Sequence, residues 1–475
     1  MALPLFIFFL QTIFLLPIPE ADRIEAKADL RLLSASEQID LVYVGGRFSH
    51  IEYTTASPSR TFTPPFPVYS FTPQMTRFGS CSQKGNVLTR RKGDRHCGYI
   101  IPLDSAGRAV NLLSYDEVIL QGKFSGDWEL AFADTVHSLN EENVPLASKP
   151  SSEGWRFDFG SARSHVDAAN GRHLVLLLRS SSGSAALQEV AFRHTPRSSS
   201  HAGNGIWIWR HDRVIGHEAE VLDRLRARAV KRVYLQIGDD PAIFHDFLAA
   251  AARQGVSVFA LDGDPGYIFS PAPLLARIRA VESYNRSNPD APYAGFQTDI
   301  EPYLNSDFNL RKSEYAAAYV DLLRQIKATS RLPLSVVAPF WFDGLTTDGR
   351  SLAQRFVEEA DEVVLMSYRT DPAAVLEISR NTLALGERFN KPVRLGIELG
   401  SIPDEHHIEL KKTDRTQPDT LRLGGFLWKK QSEYDINGAR ISHKSSMPSL
   451  PAFMATPFPF SSFGGWVLHS YEELN

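Results

Sequence analysis

The sequence predicts an α/β protein in which an all-β sandwich precedes a (β/α)8 barrel of the TIM type. From about residue 30 to 196, short apolar stretches alternate with clusters of Gly, Ser, Pro and Asp, and no amphipathic stretch of helical length interrupts them. From 206 onward, eight β-type runs alternate with amphipathic helical patterns over about 270 residues, which is the size and rhythm of a (β/α)8 barrel. No Gly-rich turn follows the first of these runs, so an open doubly wound sheet is disfavoured.

The length of 475 residues exceeds what one hydrophobic core usually serves, so we expect several domains. We interpret 1–28 as a signal peptide or membrane anchor and 29–197 as the sandwich. A small, polar stretch at 198–205 predicts a flexible linker, and 206–475 forms the barrel.

The first segment is a charge-free apolar run from Pro4 to Pro19, shorter than the roughly 20 residues that span a bilayer. Ala26-Lys27-Ala28 offers a small-x-small cleavage site before Asp29. Because no Lys or Arg precedes the run, an uncleaved membrane anchor is the alternative, and contact with a membrane is expected only in that case. Either interpretation predicts a secreted or periplasmic protein.

The predicted export determines how the two cysteines are interpreted. Cys81 and Cys97 enclose a polar, basic loop, and in an oxidising compartment they most simply close a disulfide. The alternative, a catalytic thiol, has no local motif to support it.

Composition excludes several function classes. Lys and Arg number 51 against 55 Asp and Glu, for a net charge of −4, so no excess of positive charge exists to bind a nucleic acid. The 14 histidines show no H-x-H or H-E-x-x-H spacing, and G-x-S-x-G is absent. We therefore expect no metal, no cofactor and no Ser-His-Asp hydrolase.

The predicted elements follow from periodicity. In the sandwich the clearest strands are 39–44, 115–120, 128–132 and 173–178. The barrel strands are predicted at 206–209, 232–237, 256–261, 295–300, 334–338, 362–366, 393–397 and 466–469. Amphipathic helices are predicted at 218–229, 241–254, 271–285 and 314–327. About sixty residues separate strands seven and eight, and a connection that long is usually functional.

Barrel enzymes place their chemistry at the carboxyl ends of the strands. The candidates are therefore the residues that end the predicted strands: Trp207 and Trp209 (strand one), Asp262 (three), Asp299 and Glu301 (four), Trp341 (five), Tyr368 and Arg369 (six), Glu398 (seven) and His469 (eight). Trp207 and Trp209 lie two positions apart and share a face, either as core packing or as a platform for stacking sugars. We predict substrate-binding roles for these two and for Asp262, Trp341, Arg369 and His469.

Strand four gives the strongest local signal. Asp299 and Glu301 leave the same side of the strand, and two neighbouring carboxylates resist double ionisation, so the pKa of one is raised. A carboxylic acid that stays protonated near neutral pH can serve as a general acid. The alternative is a pair of solvated or helix-capping acids at the strand end.

Four segments of the barrel resemble the chitinase-type family 18 glycoside hydrolases. Asp299-Ile300-Glu301 matches the end of that family's D-x-x-D-x-D-x-E run, and Met366-Ser367-Tyr368 matches its M-x-Y. Leu395-Gly396-Ile397 and Gly464-Gly465-Trp466 match strands seven and eight. The resemblance implies a TIM-barrel glycosidase in which Glu301 is the acid, Asp299 its partner and Tyr368 a ligand of the reacting sugar.

The chain departs from this family at four positions. Ala294 and Gln297 stand in place of the two earlier aspartates, Arg369 follows the tyrosine in place of Asp, and His469 replaces the tryptophan of the pocket floor. Those groups serve an N-acetylated sugar in the family, so the resemblance extends to fold and reaction class and not to the substrate.

The sandwich segment resembles jelly-roll carbohydrate-binding modules in the order of its strands, from "NLLSYDEVILQGKF" through "GDWELAFAD" and "GWRFDFG" to "EVAFRH". This resemblance covers about 110 residues. It implies a sugar-binding domain beside the barrel.

Glu398 offers a second mechanism, since many barrel glycosidases carry their acid and nucleophile at the ends of strands four and seven. Depending on the separation of its carboxyl from that of Glu301, Glu398 is a nucleophile or a base that activates water. A pairing with Arg369 or His469 is the alternative.

The leading hypothesis is an exported glycoside hydrolase that cleaves a polysaccharide or oligosaccharide. A non-catalytic, lectin-like barrel is the second hypothesis, and a carbohydrate esterase is disfavoured because metal and nucleophile motifs are absent.

Overall fold

The computed structural model describes residues 18–54, 61–90, 97–134, 144–149, 154–160, 162, 166–199 and 203–474. Contacts between these residues divide the chain into two compact units. The first unit draws on Met1–Pro58, Tyr303–Lys312 and Ser401–Ile441. The second unit draws on Ser59–Pro302, Ser313–Gly400 and Ser442–Asn475.

The first unit is built on a five-stranded antiparallel sheet. Its strands, in spatial order, are Arg47–Thr54, Gln38–Val44, Glu405–Thr413, Phe426–Ile436 and Thr420–Leu423. Two short helices, Ala21–Lys27 and Leu30–Ala35, contribute Ile24 and Leu33 to its core, where Trp428 is fully buried. The second helix begins at Asp29, whose carboxylate accepts hydrogen bonds from the backbone N–H groups of Arg31 and Leu32 at 2.8 and 3.3 Å.

This sheet corrects the predicted domain boundaries. The prediction assigned 29–197 to one sandwich, but Gln38–Val44 pairs with Glu405–Thr413 from the long connection between barrel strands seven and eight, with Leu41 opposite Ile408. The sequence predicted a strand at 39–44 but none at 405–413. Their pairing across more than 360 residues leaves no local signal.

The segment that precedes Asp29 is also part of this unit. Ile18 is 9% exposed and Ile24 is 1% exposed. The Tyr43 hydroxyl donates to the carbonyl of Pro19 at 3.0 Å, and Lys27 Nζ donates to the carbonyl of Ser49 at 2.6 Å. Cleavage before Asp29 would remove these contacts, so the predicted end of the leader at residue 28 is wrong. Residues 1–17, which carry most of the apolar run, lie outside the described residues.

The amino-terminal part of the second unit contains two antiparallel sheets. The strands of the first, in spatial order, are Val144–Pro145, Trp128–Asp134, Gly171–Leu178, Cys97–Pro102 and Thr76–Gly79. The strands of the second are Ala147–Lys149, Trp155–Asp158, Glu117–Ser125, Ser182–Arg193, Val87–Thr89 and Ser82–Lys84, and Val68–Phe71 also pairs with Ser182–Arg193. Phe159 contacts Phe132 of one sheet and Phe192 of the other at ring-centroid distances of 5.0 and 5.5 Å. A carbohydrate-binding role for this part stays a prediction.

The two cysteines do not form the predicted disulfide. Both Cys81 and Cys97 are buried thiols. Cys97 begins the strand that pairs with Thr76–Gly79, and it lies opposite Gly79, two residues before Cys81. The Cys81 thiol donates to the carbonyl of Phe78 at 3.5 Å. The disulfide prediction is therefore wrong, because both sulfurs pack into the edge of the sheet as thiols.

The remainder of the second unit confirms the predicted (β/α)8 barrel. Its eight parallel strands close in chain order: Asn204–Ile208, Val230–Gln236, Ser257–Asp262, Gly295–Thr298, Leu334–Pro339, Glu362–Met366, Val393–Glu398 and Phe463–His469. The helices between them are Glu218–Ala227, His245–Arg253, Ala272–Ser287, Lys312–Thr329, Leu352–Glu359, Pro372–Phe389 and Leu450–Met454. The helix predicted from 241 starts with a 3-10 turn, Pro241–Phe244, because Asp240 caps that turn. In the described part of the chain, no helix combines the length and apolar character needed to span a bilayer.

The sheets and the barrel contact each other within the second unit. The ring of Phe66 stacks on that of Phe460 at 5.8 Å. Arg380, fully buried on a barrel helix, donates from Nη2 to the carbonyl of Pro64 at 2.7 Å. The backbone N–H of Arg197 donates to the carbonyl of Pro459 at 3.0 Å. These contacts flank the predicted linker, of which 200–202 lie outside the described residues.

Candidate active site

The site is built at the end of barrel strand four, where the backbone holds Asp299 against strand three. The backbone N–H of Asp299 donates to the carbonyl of Asp262 at 3.1 Å. The next residue along strand three is Gly263, and a Cβ added there would lie 1.8 Å from the carbonyl oxygen of Asp299. Only glycine permits this close approach, so the two strand ends fix the position of Asp299.

Within the carboxylate pair the raised pKa belongs to Asp299, whereas the sequence predicted Glu301 as the protonated acid. Burial raises the pKa of the Asp299 carboxyl to about 7, the negative charge of Glu301 acts in the same direction, and His469 partly opposes both. Asp299 Oδ1 is buried and has no hydrogen-bond partner among the described residues. The side chain therefore holds a proton in the neutral range, as an acid–base group requires.

Tyr368, two residues beyond strand six, lies beside the acids. Burial raises the pKa of its hydroxyl well above the usual value, and the charges of Asp299, Glu398 and Glu301 raise it further. The Tyr368 ring stacks on that of His469 with centroids 5.8 Å apart. The hydroxyl stays protonated at any physiological pH and can donate a hydrogen bond to a sugar oxygen. Three residues predicted as catalytic (Asp299, Glu301 and Glu398) thus all act electrostatically on the fourth, Tyr368.

Glu398 is paired with His469, one of the alternatives that the sequence left open. Glu398 Oε2 lies 2.6 Å from Nδ1 of His469, and Oε1 accepts a hydrogen bond from the backbone N–H of Gly400 at 2.5 Å. Burial would lower the pKa of His469, but the hydrogen bond and charge of Glu398 outweigh it and raise the pKa overall. With both oxygens engaged, Glu398 is placed to hold the imidazole in position.

His469 and two tryptophans form the floor of the site. The His469 ring lies 5.6 Å from that of Trp207 and 5.8 Å from that of Trp209. Trp207 is 1% exposed, and its Nε1 donates to Oε1 of Gln297 at 2.7 Å. Trp207 therefore belongs to the barrel core, as one of the two interpretations predicted, while the more exposed Trp209 keeps the possibility of sugar contact.

Asp262 does not have the predicted substrate-binding geometry. Its Oδ2 accepts from Nη1 of Arg277 at 2.5 Å and from the hydroxyl of Tyr267 at 3.2 Å, and its Oδ1 accepts from the backbone N–H of Gly263 at 2.9 Å. The side chain is buried and its oxygens are occupied. The predicted role is therefore wrong: Asp262 anchors the turn after strand three, and sequence reasoning missed its partner Arg277 because that residue lies on the next helix.

The two remaining predicted residues follow strands five and six. Trp341 lies in the 3-10 turn Phe340–Gly344, with its ring 4.7 Å from that of Phe342. The guanidinium of Arg369 lies 5.2 Å from the centroid of the Phe340 ring. Both side chains are partly exposed at the end of the barrel where the acids lie.

The described residues were predicted to hold no metal ion. In the ranges that the structure describes, no group of three or more His, Cys, Asp or Glu side chains could hold a metal ion.

No protein-family model and no curated protein matches this sequence. Among solved structures, the chain is similar to the spore cortex-lytic enzyme SleL from Bacillus megaterium, at 10% identity over 60% of this chain and 73% of that one, with a TM-score of 0.32. It is similar to the family GH18 chitinase from Cycas revoluta in complex with allosamidin, at 15% identity over 57% and 96% of the two chains, with a TM-score of 0.29. It is also similar to YKL-39 in the presence of chitooligosaccharides, at 10% identity over 57% and 93%, with a TM-score of 0.34. At these values the site is interpreted from this chain's own residues.

Proposed function

We propose that this protein is a glycoside hydrolase that cleaves a polysaccharide by carboxylic general acid catalysis. The single observation that carries the proposal is the buried Asp299, whose carboxyl has a pKa of about 7 beside Glu301 at the carboxyl end of a (β/α)8 barrel. A site that keeps a carboxylic acid protonated near neutral pH is suited to protonate the oxygen of a leaving sugar.

In this proposal the proton that Asp299 holds passes to Glu301, and Glu301 delivers it to the glycosidic oxygen as the bond to the anomeric carbon breaks. Asp299 and Glu301 repel each other when both are ionised, so the pair retains a proton near neutral pH. Glu301 then accepts a proton from the attacking water, directly or through Asp299, which returns the pair to its starting state.

Tyr368 and the Glu398–His469 pair position the sugar. The hydroxyl of Tyr368 donates a hydrogen bond to the ring being cleaved, since burial, together with the charges of Asp299, Glu398 and Glu301, keeps it protonated. Glu398 orients His469 through the 2.6 Å hydrogen bond to Nδ1, which leaves Nε2 of the imidazole for the substrate.

We also propose that this reaction takes place outside the cytosol, as the apolar run from Pro4 to Pro19 indicates. Since Ile18 and Ile24 lie in the core of the first unit, cleavage of a leader is expected before Ile18. Amino-terminal sequencing of the protein from the periplasm or medium tests this, and a chain that begins at Asp29 would contradict it.

The decisive experiment compares wild type with Glu301→Gln on a panel of bacterial and plant polysaccharides, with products resolved by chromatography. Gln keeps the shape of the side chain but carries no transferable proton, so the rate should fall by roughly 10²–10⁴ while binding is kept. Glu220→Gln, on an exposed helix face, is the matched control and should be neutral.

Two outcomes would contradict the proposal. Turnover by Glu301→Gln at the wild-type rate would remove Glu301 from the mechanism. A wild-type protein that binds members of the panel and cleaves none would favour the lectin-like alternative.

A further inference from the structure

Arg369 is a charged side chain at the barrel mouth that the proposed mechanism does not use. It follows Tyr368 directly, and its Nη1 donates to the carbonyl of Tyr368 at 2.7 Å. Its guanidinium lies over the ring of Phe340, 5.2 Å from the centroid, so the loops after strands five and six hold it from both sides.

Arg369 differs from two other arginines of the barrel in having no carboxylate partner among the described residues. Arg277 is paired with Asp262 at 2.5 Å, and Arg394 with Glu362 at 2.7 Å. Among the residues that the structure describes, Arg369 forms no ion pair with a carboxylate, and burial alone lowers the pKa of its guanidinium. A partly buried cation without a partner is unfavourable unless a ligand supplies the missing charge.

We propose that Arg369 binds a carboxylate of the substrate, so that the polysaccharide is an acidic one built from or containing uronic acid residues. This inference rests on the proposed function, whose substrate class it names. The guanidinium of Arg369 lies over the ring of Phe340, and a guanidinium carries paired N–H donors that match the two oxygens of a carboxylate. Trp341, the residue after Phe340, offers an aromatic ring for the apolar face of the same sugar.

The test measures binding in the Glu301→Gln background, where hydrolysis does not interfere. The probes are hexamers of α-1,4-galacturonate, β-1,4-glucuronate and β-1,4-mannuronate, each beside its carboxyl-reduced neutral counterpart, titrated by calorimetry at low salt. At least one acidic hexamer should bind tenfold or more tightly than its reduced form, as a charge-assisted hydrogen-bond pair predicts. Arg369→Met should bring the affinities for the acidic and reduced hexamers within about twofold of each other.

Two further variants separate this role from folding and from overall charge. Arg369→Lys keeps the charge but not the paired N–H donors, so it should keep only part of the preference for the acidic over the reduced hexamer. Arg210→Met removes another arginine that follows a barrel strand, one that is paired with Asp212, and should keep the full preference. Circular dichroism and thermal midpoints confirm that each variant is folded.

The outcomes distinguish this inference from the proposed function. Equal affinity for the acidic and reduced hexamers, or no binding of any uronate hexamer, would overturn the role of Arg369, even if the wild type cleaves neutral polymers. A wild type that discriminates through Arg369 but cleaves nothing would overturn the hydrolase and leave the acidic ligand in place.

Discussion

Replacing Asp299 with Asn should stabilise the protein at alkaline pH while it slows the reaction. The Asp299 carboxyl is buried, its Oδ1 has no hydrogen-bond partner among the described residues, and its pKa rises from 3.8 to about 7 on folding. Above that pH the folded protein must hold a buried negative charge beside Glu301. Asn has nearly the same shape and no charge, so the variant avoids this penalty.

The sign and size of the effect follow from linkage. Because the pKa of Asp299 is higher in the folded than in the unfolded state, its contribution to stability is fully present below 3.8 and is lost as pH rises through about 7. One pH unit of difference corresponds to about 1.4 kcal/mol, so the full loss is on the order of 4 kcal/mol. Asp299→Asn should therefore match wild type near pH 4 and exceed its free energy of unfolding by up to about 4 kcal/mol near pH 8.

Urea denaturation of both proteins at several values between pH 4 and 9 measures this difference. Asp223→Asn is the control, because that carboxylate is 68% exposed and its removal should leave the pH dependence unchanged. Parallel stability curves for wild type and Asp299→Asn across the whole range would show that Asp299 has no raised pKa. The assignment of the acid pair would then fail.

Three other outcomes are expected. His407 is paired with Asp40 at 2.7 Å, and that carboxylate raises the pKa of His407 against the effect of burial. The stabilisation from this pair is therefore present below pH 6.5 and is lost as the pH rises through the pKa of the folded state. Hydrogen exchange of the strand that contains His407, corrected for the intrinsic effect of pH, should quicken over that range, and His407→Gln should remove this pH dependence. Ile24→Ala should destabilise the first unit by about 2–4 kcal/mol, measured by hydrogen exchange of the same strand. If the segment around Ile24 belonged to a removable leader, the substitution would have no effect on this stability. In denaturant without reductant, a thiol reagent should label both Cys81 and Cys97. Failure to label either cysteine would support a disulfide between them.

The barrel could be predicted because its signals are local. Each strand is a short apolar run and each helix an amphipathic one, and eight repeats of this alternation leave few topologies. The strand ends then identify the candidate site, since parallel strands bring their carboxyl ends together. Asp299, Glu301, Tyr368, Glu398 and His469 were found in this way, and their electrostatic interactions in the structure follow from that arrangement.

The features that could not be predicted depend on partners distant in the chain. The pairing of Gln38–Val44 with Glu405–Thr413 has no local signature, so the first unit was assigned to the sandwich. Asp262 ends a strand as a catalytic acid would, but Arg277 neutralises it. The sequence shows which side chains reach the mouth of the barrel, while the charges around each of them decide whether it is free to act.

The two ends of the barrel interior differ in whether their buried charges are neutralised. At the amino end, buried Glu362 accepts hydrogen bonds from Arg232, from Arg394 at 2.7 Å and from the hydroxyl of Tyr234 at 2.5 Å. Its charge is compensated, as expected of a group that stabilises the fold. A chain of hydrogen bonds links it to the site: Ser335 Oγ donates to Glu362 at 3.1 Å, Gln297 to Ser335 at 3.0 Å, and Trp207 to Gln297 at 2.7 Å.

At the carboxyl end the balance is reversed. The charges of Asp299, Glu301 and Glu398 all act on Tyr368, and His469 is the cation that acts on Asp299 and pairs with Glu398. Gln297, two residues before Asp299, carries no charge, so it fixes Trp207 without neutralising the acids. An aspartate at this position would add a negative charge near Asp299 and raise the pKa of Asp299 further. With the neutral amide in place, burial and Glu301 raise that pKa to about 7, where the carboxyl can both hold and release a proton.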